Sequence, residues 1–168
     1  VTRAKMGRLL AAPFLSLALI SSPVPALAGQ LVVTLAATGE ELARMPVDEG
    51  ARWSVLWHHS VDGYEVEDIY ENAGGTMLLK RSHLPDFGAG LGHIPGRGRQ
   101  ISDGEGGYWI EDIDEPVPGN AYILRPGRAA VNHRLRTEGD EVSLTALAEH
   151  QRVRIALEPD AQEPTTAP

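Results

Sequence analysis

The chain contains no cysteine, so no disulfide framework holds it together and the fold must rest on its hydrophobic core. Basic residues are also scarce: 15 Lys and Arg stand against 23 Asp and Glu, a formal net charge of −8. A chain of that sign repels polyanions, which argues against nucleic acid or an anionic membrane surface as partner. Long apolar runs are missing too. The longest, Leu9 to Ile20, is broken by Pro13 and falls short of the roughly 20 residues that a membrane-spanning helix requires. No internal repeat, heptad pattern or long amphipathic helix is present, and neither His-x-His, HExxH nor GxSxG occurs, so the compact signatures of zinc hydrolases and serine hydrolases are lacking.

The N-terminal pattern is distinctive. Arg3, Lys5 and Arg8 precede the apolar run, and Ala26-Leu27-Ala28 follows it, the three parts of a secretory signal. Residues 1–28 are therefore expected to be a signal peptide cleaved after Ala28, sending the protein to the periplasm of the cell envelope without a membrane span in its mature form. With no cysteine behind the apolar run, a lipoprotein anchor is not expected. Loss of Arg3, Lys5 and Arg8 leaves 12 basic against 23 acidic residues in about 140, a net charge near −11, which suits a soluble single domain. That domain is expected over 29–158. The last stretch, 159–168, is Pro, Thr, Ala and acidic residues and reads as a disordered tail.

The rest of the chain is organised around Trp53 to Tyr70, where two alternating runs flank Asp62-Gly63. Asp-Gly between alternating apolar residues marks a β-hairpin, because primed turns need positive φ. Trp53, Val55, Trp57, His59 and Val61 share one face, taken as the core face. A two-residue loop would set His59 opposite Val66 and Trp57 opposite Asp68, making His59 and Asp68 diagonal neighbours. A three-residue loop with a bulge would put Glu67 beside His59 instead and bury Glu65, Glu67 and Glu71 for the sake of Ile69; the first register is preferred.

Further strands are expected at Leu31 to Ala36, Glu41 to Met45, Thr76 to Ser82, Tyr108 to Ile110, Ala121 to Leu124, Ala130 to Arg136, Val142 to Ala146 and Arg152 to Glu158, with a helical turn as the alternative from Leu144 onward. Leu84 to Gly107, rich in glycine, reads as one long loop. About nine short strands separated by Gly, Pro and Asp turns predict an all-β fold, a single-domain antiparallel sandwich or partly closed barrel.

The alternation of Val131, His133 and Leu135 points His133 inward, as it does His59. Two inward imidazoles with Glu67 or Asp68 would suit a metal site; a buried histidine bonded to a carboxylate that merely ties strands together is the simpler reading. A hydrolase triad would draw on Ser60, on His133 or His58, and on Glu65 or Asp68, but Ser60 faces away from His59 if the strand continues to it. The run Gly88-Ala89-Gly90-Leu91-Gly92 has no βαβ context for dinucleotide binding; it would allow close backbone approach or an anion nest, with Arg97 and Arg99 beside it. Trp53, Trp57 and Trp109 read as core aromatics.

Taken together, His59-Ser60-Val61, the acidic Glu67, Phe87-Gly88-Ala89-Gly90-Leu91 and His133-Arg134-Leu135 resemble one family, the uncharacterised domain-of-unknown-function family 1850, over roughly Leu31 to Glu158. Where that family usually has proline after Gly-Ala-Gly-Leu, this chain has Gly92, with Pro95 further on. The resemblance implies small exported proteins encoded beside TAXI-type TRAP transporters or fused to their membrane subunits. It implies no catalytic activity and no cofactor. The expectation is a non-enzymatic accessory of a TRAP-type transporter that binds a small molecule or protein through residues among His59, Ser60, Glu67, Asp68, Gly88, Gly90 and His133. The alternative is a metal-binding protein or hydrolase built on His59, His133 and Glu67 or Asp68.

Overall fold

The computed structural model describes residues 29–85 and 96–160. The expected leader, the glycines Gly88 and Gly90, and residues 161–168 lie outside that set. Within it the chain forms twelve strands: β1 (Gly29–Leu35), β2 (Glu41–Pro46), β3 (Arg52–His58), β4 (Glu65–Ala73), β5 (Thr76–Leu84), β6 (Arg99–Ser102), β7 (Tyr108–Glu111), β8 (Glu115–Pro116), β9 (Ala121–Leu124), β10 (Arg134–Arg136), β11 (Glu141–Ser143) and β12 (Val153–Pro159). One short helix, α1 (Leu144–Ala148), precedes β12.

The strands make two sheets, ordered β2-β1-β12-β9 and β11-β10-β3-β4-β5-β7-β6, with β8 paired to β5. Every pairing is antiparallel and neither sheet closes on itself. The protein is an all-β sandwich.

Alternation explains the packing. Leu31 and Val33 of β1 and Val153, Ile155 and Leu157 of β12 meet Trp53 and Val55 of β3 and Met77 and Leu79 of β5 in one core, because successive strand side chains point to opposite faces and two apolar faces exclude water only against each other. An aromatic column crosses that core. Trp53 stacks on its cross-strand neighbour Tyr70 with centroids 5.8 Å apart, and Tyr70 stacks on Tyr122 of the other sheet at 5.4 Å.

The expected strand total is corrected upward by two short pieces. β6 lies inside the glycine-rich stretch read as loop, and its Arg-Gln-Ile-Ser sequence holds a single large apolar residue, so no alternation announces it. β8 has only two residues and pairs with Leu78 and Leu79. The strand expected over Ala130 to Arg136 shrinks to β10, because Asn132 sits at φ 45° and interrupts the extended run before it, a conformation that asparagine tolerates better than most residues. The strand expected over Val142 to Ala146 stops at Ser143, whose hydroxyl accepts the Ala146 N–H and caps α1.

The hairpin differs from both expected registers. Trp57 lies opposite Val66 and Val55 opposite Asp68. The His59 N–H donates to Tyr64 O at 2.8 Å and the Gly63 N–H to His59 O at 3.0 Å, so four residues, Ser60 to Gly63, make the connection. Partners move by two positions, which leaves each side chain on its expected face. The cause is local: His59 Nδ1 sits 2.9 Å from Asp62 Oδ2 and the imidazole stacks on Tyr64 at 5.1 Å, drawing Asp62 back over the strand end, while Gly63 supplies the φ of 75° that closes the turn. Val61 is therefore a loop tip, 83% exposed, and not a core residue.

Asn72 is the most enclosed polar residue of the interior. It is fully buried, its Nδ2 donates to Val47 O at 2.9 Å and its Oδ1 accepts the Gly75 N–H at 3.0 Å. Replacing Asn72 with Ala strands both partners, and loss of about 1–3 kcal/mol of unfolding free energy is expected in urea titrations; a variant as stable as the parent would show that these bonds contribute nothing.

Candidate functional site

The expected centre does not assemble. His59 is engaged in its own hairpin loop by Asp62 and Tyr64. His133 stacks on Trp57 at 5.9 Å, and its Nδ1 accepts the Gly127 N–H at 3.1 Å. Burial lowers the His133 pKa, which preserves the neutral ring that this acceptor role requires. Among the described residues no group of three or more His, Asp or Glu side chains is placed to hold a metal ion. The proposed cluster of His59, His133 and Glu67 or Asp68 is thus corrected: the longer loop carries His59 past the inner face, and His133 follows the kink at Asn132 instead of lying in a strand. Ser60 is an exposed loop residue, and among the described residues no histidine is bonded to it to act as a base.

Glu67 and Asp68 point to opposite faces of β4. Glu67 accepts the Ser54 hydroxyl at 2.5 Å and borders an acidic depression with Glu65, His83, Asp103 and Glu105. The charges there are largely answered from within. Glu65 is bridged by Arg134, and Asp103 accepts the backbone N–H groups of Glu105 and Gly107 and lies 2.9 Å from His83 Nε2. These bonds, that of Glu105 foremost, hold the Asp103 carboxyl below its usual range.

Asp68 faces the other way and reaches the sandwich interior. Its Oδ1 accepts the Ser82 hydroxyl at 2.5 Å. Burial raises its pKa, while the Ser82 bond and the charge of Arg97 oppose the rise. Burial also pushes the phenols of Tyr70 and Tyr122 up, and the Asp68 charge adds to the effect in both. The Tyr122 hydroxyl is buried without a hydrogen-bond partner.

Beside this group a pocket of about 220 Å³ opens between the sheets, lined by Tyr70 and Leu79 of one sheet, Tyr122 of the other, Arg97, and the Glu115-Pro116-Val117-Pro118 segment. Arg97 Nε–H donates to Glu115 Oε2 at 2.6 Å at its rim. The position of Arg97 is set by its neighbour: Gly98 has a φ of 67°, and a Cβ there would stand 2.5 Å from Glu111 O, so only glycine fits. Of the residues singled out from sequence, Arg97 lines this pocket, and Asp68 lies close enough to feel its charge. Tyr70, Tyr122 and Glu115 were missed. Tyr70 had a signal, its inward parity on the hairpin; Tyr122 and Glu115 come from distant short strands whose sheet position no local pattern reveals.

The family model described as domain of unknown function (DUF1850) matches residues 54–144. The chain belongs to this family. Within the DUF1850 match lie β4, the rim pair Arg97 and Glu115, Tyr122 and most of the second sheet, so the pocket falls in the part of the chain that defines membership. No curated protein and no solved structure matches the chain.

Asp68 gives a pH test. Its folded pKa is raised, so its favourable contribution is complete below the ordinary aspartate value and is lost as pH rises through the folded value. Asp68→Asn keeps an acceptor for Ser82 without the charge. The melting temperature of this variant is expected to gain on the parent as pH is raised from about pH 4 toward about pH 8. A constant difference across that range would mean that Asp68 titrates normally.

Proposed function

We propose that this DUF1850 protein is a non-enzymatic binding module, exported to the cell envelope, that serves as an accessory of a TRAP-type transporter and takes its ligand in the pocket between the two sheets. The observation that carries the reading is the pocket itself, whose walls come from both sheets and include two stacked aromatic rings, with the desolvated carboxyl of Asp68 near enough to act on Tyr70. Concave, mostly apolar sites with a few fixed polar groups are what small-molecule recognition uses. Nothing in it is arranged as a nucleophile with a base: the hydroxyl of Ser82 is committed to Asp68, and the phenols are held protonated by burial.

Support for export comes from the basic, apolar and Ala-Leu-Ala segments at the start of the chain. Support for the transporter role comes from the family, whose genes accompany those of TAXI-type TRAP systems. Among the described residues no helix is long and apolar enough to cross a membrane.

Capture from a native envelope extract tests the proposal. The affinity-tagged full chain, expressed in its own host, is expected to retain a TRAP membrane or substrate-binding subunit through washes at about 0.15 M salt, the ionic strength at which surface charges are already screened beyond about 8 Å. Repeated capture without any such subunit would overturn the accessory role.

A further inference from the structure

The rim of the pocket carries one charge of each sign, and the two are only half used. Arg97 gives its Nε–H to Glu115 Oε2 at 2.6 Å; among the described residues the Nη edge of the guanidinium and Glu115 Oε1 take no hydrogen bond. Both side chains are accessible, 40% and 55% exposed. An exposed pair of this kind contributes little to stability and rearranges readily. Behind it the walls are apolar: the rings of Tyr70 and Tyr122, and the side chains of Leu79 and Val117. The free edge of a guanidinium matches a carboxylate in two parallel hydrogen bonds, and a free carboxylate oxygen matches an ammonium group.

We infer that the pocket takes a small apolar zwitterion, an amino acid with an aromatic or branched aliphatic side chain, its carboxylate on Arg97, its ammonium on Glu115 and its side chain between Tyr70, Tyr122 and Val117. The inference rests on the binding role proposed above and deepens it. Charge balance selects the zwitterion over its one-charge relatives. A plain carboxylate would bring a third negative group beside Glu115 and Asp68 in a chain of net charge −8, and a plain amine would face the guanidinium with nothing to offer its donors. A zwitterion answers both rim charges and adds none. Size sets the rest: about 220 Å³ is below the roughly 300–1,000 Å³ of sites for larger ligands, enough for one benzyl or isobutyl group and not for a peptide.

Three probes that share one hydrocarbon body test this on the full chain by isothermal titration near neutral pH: L-phenylalanine, 3-phenylpropionate, which lacks the ammonium, and 2-phenylethylamine, which lacks the carboxylate. Phenylalanine is expected to bind, each analogue at least about 10-fold more weakly, and Arg97→Gln and Glu115→Gln are each expected to weaken phenylalanine by about 10-fold with unchanged thermal melting. The comparison of probes on the parent protein stands even if a variant folds poorly. Either analogue binding as tightly as phenylalanine overturns the zwitterion and leaves the pocket as a binding site. Failure of all three to bind the folded protein overturns the zwitterion, while the binding role proposed above stands or falls on the capture experiment.

Discussion

The column formed by Trp53, Tyr70 and Tyr122 is the constraint on which the rest of the sandwich depends. Strands within a sheet are tied by backbone bonds that hardly depend on side-chain identity, but sheet twist sets only the approximate angle at which one sheet lies on the other, and side chains set the rest. That relation is set here by three rings in near-parallel contact, two from β3 and β4 and one from β9. Their large buried area makes them strong ties, and stacking narrows the angle at which the sheets can meet. The pocket is the edge of this arrangement: where Tyr122 reaches Tyr70 the sheets touch, and beside that contact they part. A change that shifts the column moves the pocket walls with it.

Asp68 sits badly in such an interior, and its compensation is incomplete. One hydroxyl bond and a cation at the pocket rim oppose a desolvation that still dominates. Asn72, four residues along the same strand and on the same face, shows the contrasting case of a buried polar side chain with partners for both its amide oxygen and its nitrogen. A structural polar residue is expected to look like Asn72. Asp68, with the partnerless Tyr122 hydroxyl near it, has the imbalance that accompanies binding sites more often than pure scaffolding.

Much of this fold could be read from the chain. The alternation in β3 and β4, the Asp-Gly turn and the runs at β1, β5, β9 and β12 fixed the all-β class and the inward faces, because parity along a strand is a local property. Register was not local. It turned on a side-chain contact, His59 with Asp62, that lengthened the loop from two residues to four, and a shift of two keeps every face while changing every partner. The candidate centre suffered for the same reason. The parity of Asp68 was legible, but what it would meet depended on β9, a strand too short to declare its place, and on Arg97, which lies in the turn before β6. The meeting of the two imidazoles was misjudged because His59 is engaged in its own loop by Asp62 and Tyr64, and because Asn132, at positive φ, ends the extended run before His133, whose ring stacks on Trp57.

The two strongest buried ionisable groups outside the phenols pull the pH dependence of folding in opposite directions. Asp68 stabilises the fold while protonated, and that contribution fades as pH rises through its raised pKa. His133 stabilises it while neutral, since only the unprotonated Nδ1 can accept the Gly127 N–H, and that contribution fades as pH falls through its lowered pKa. Burial thus moves the acid up and the base down: at high pH the carboxylate carries its charge beside the pocket, and at low pH the imidazolium carries its charge against Trp57 at the hairpin. The sandwich thus has one polar weak point next to its candidate pocket, answered by Ser82 of β5, and another at the root of its exposed loop, answered by the Gly127 N–H.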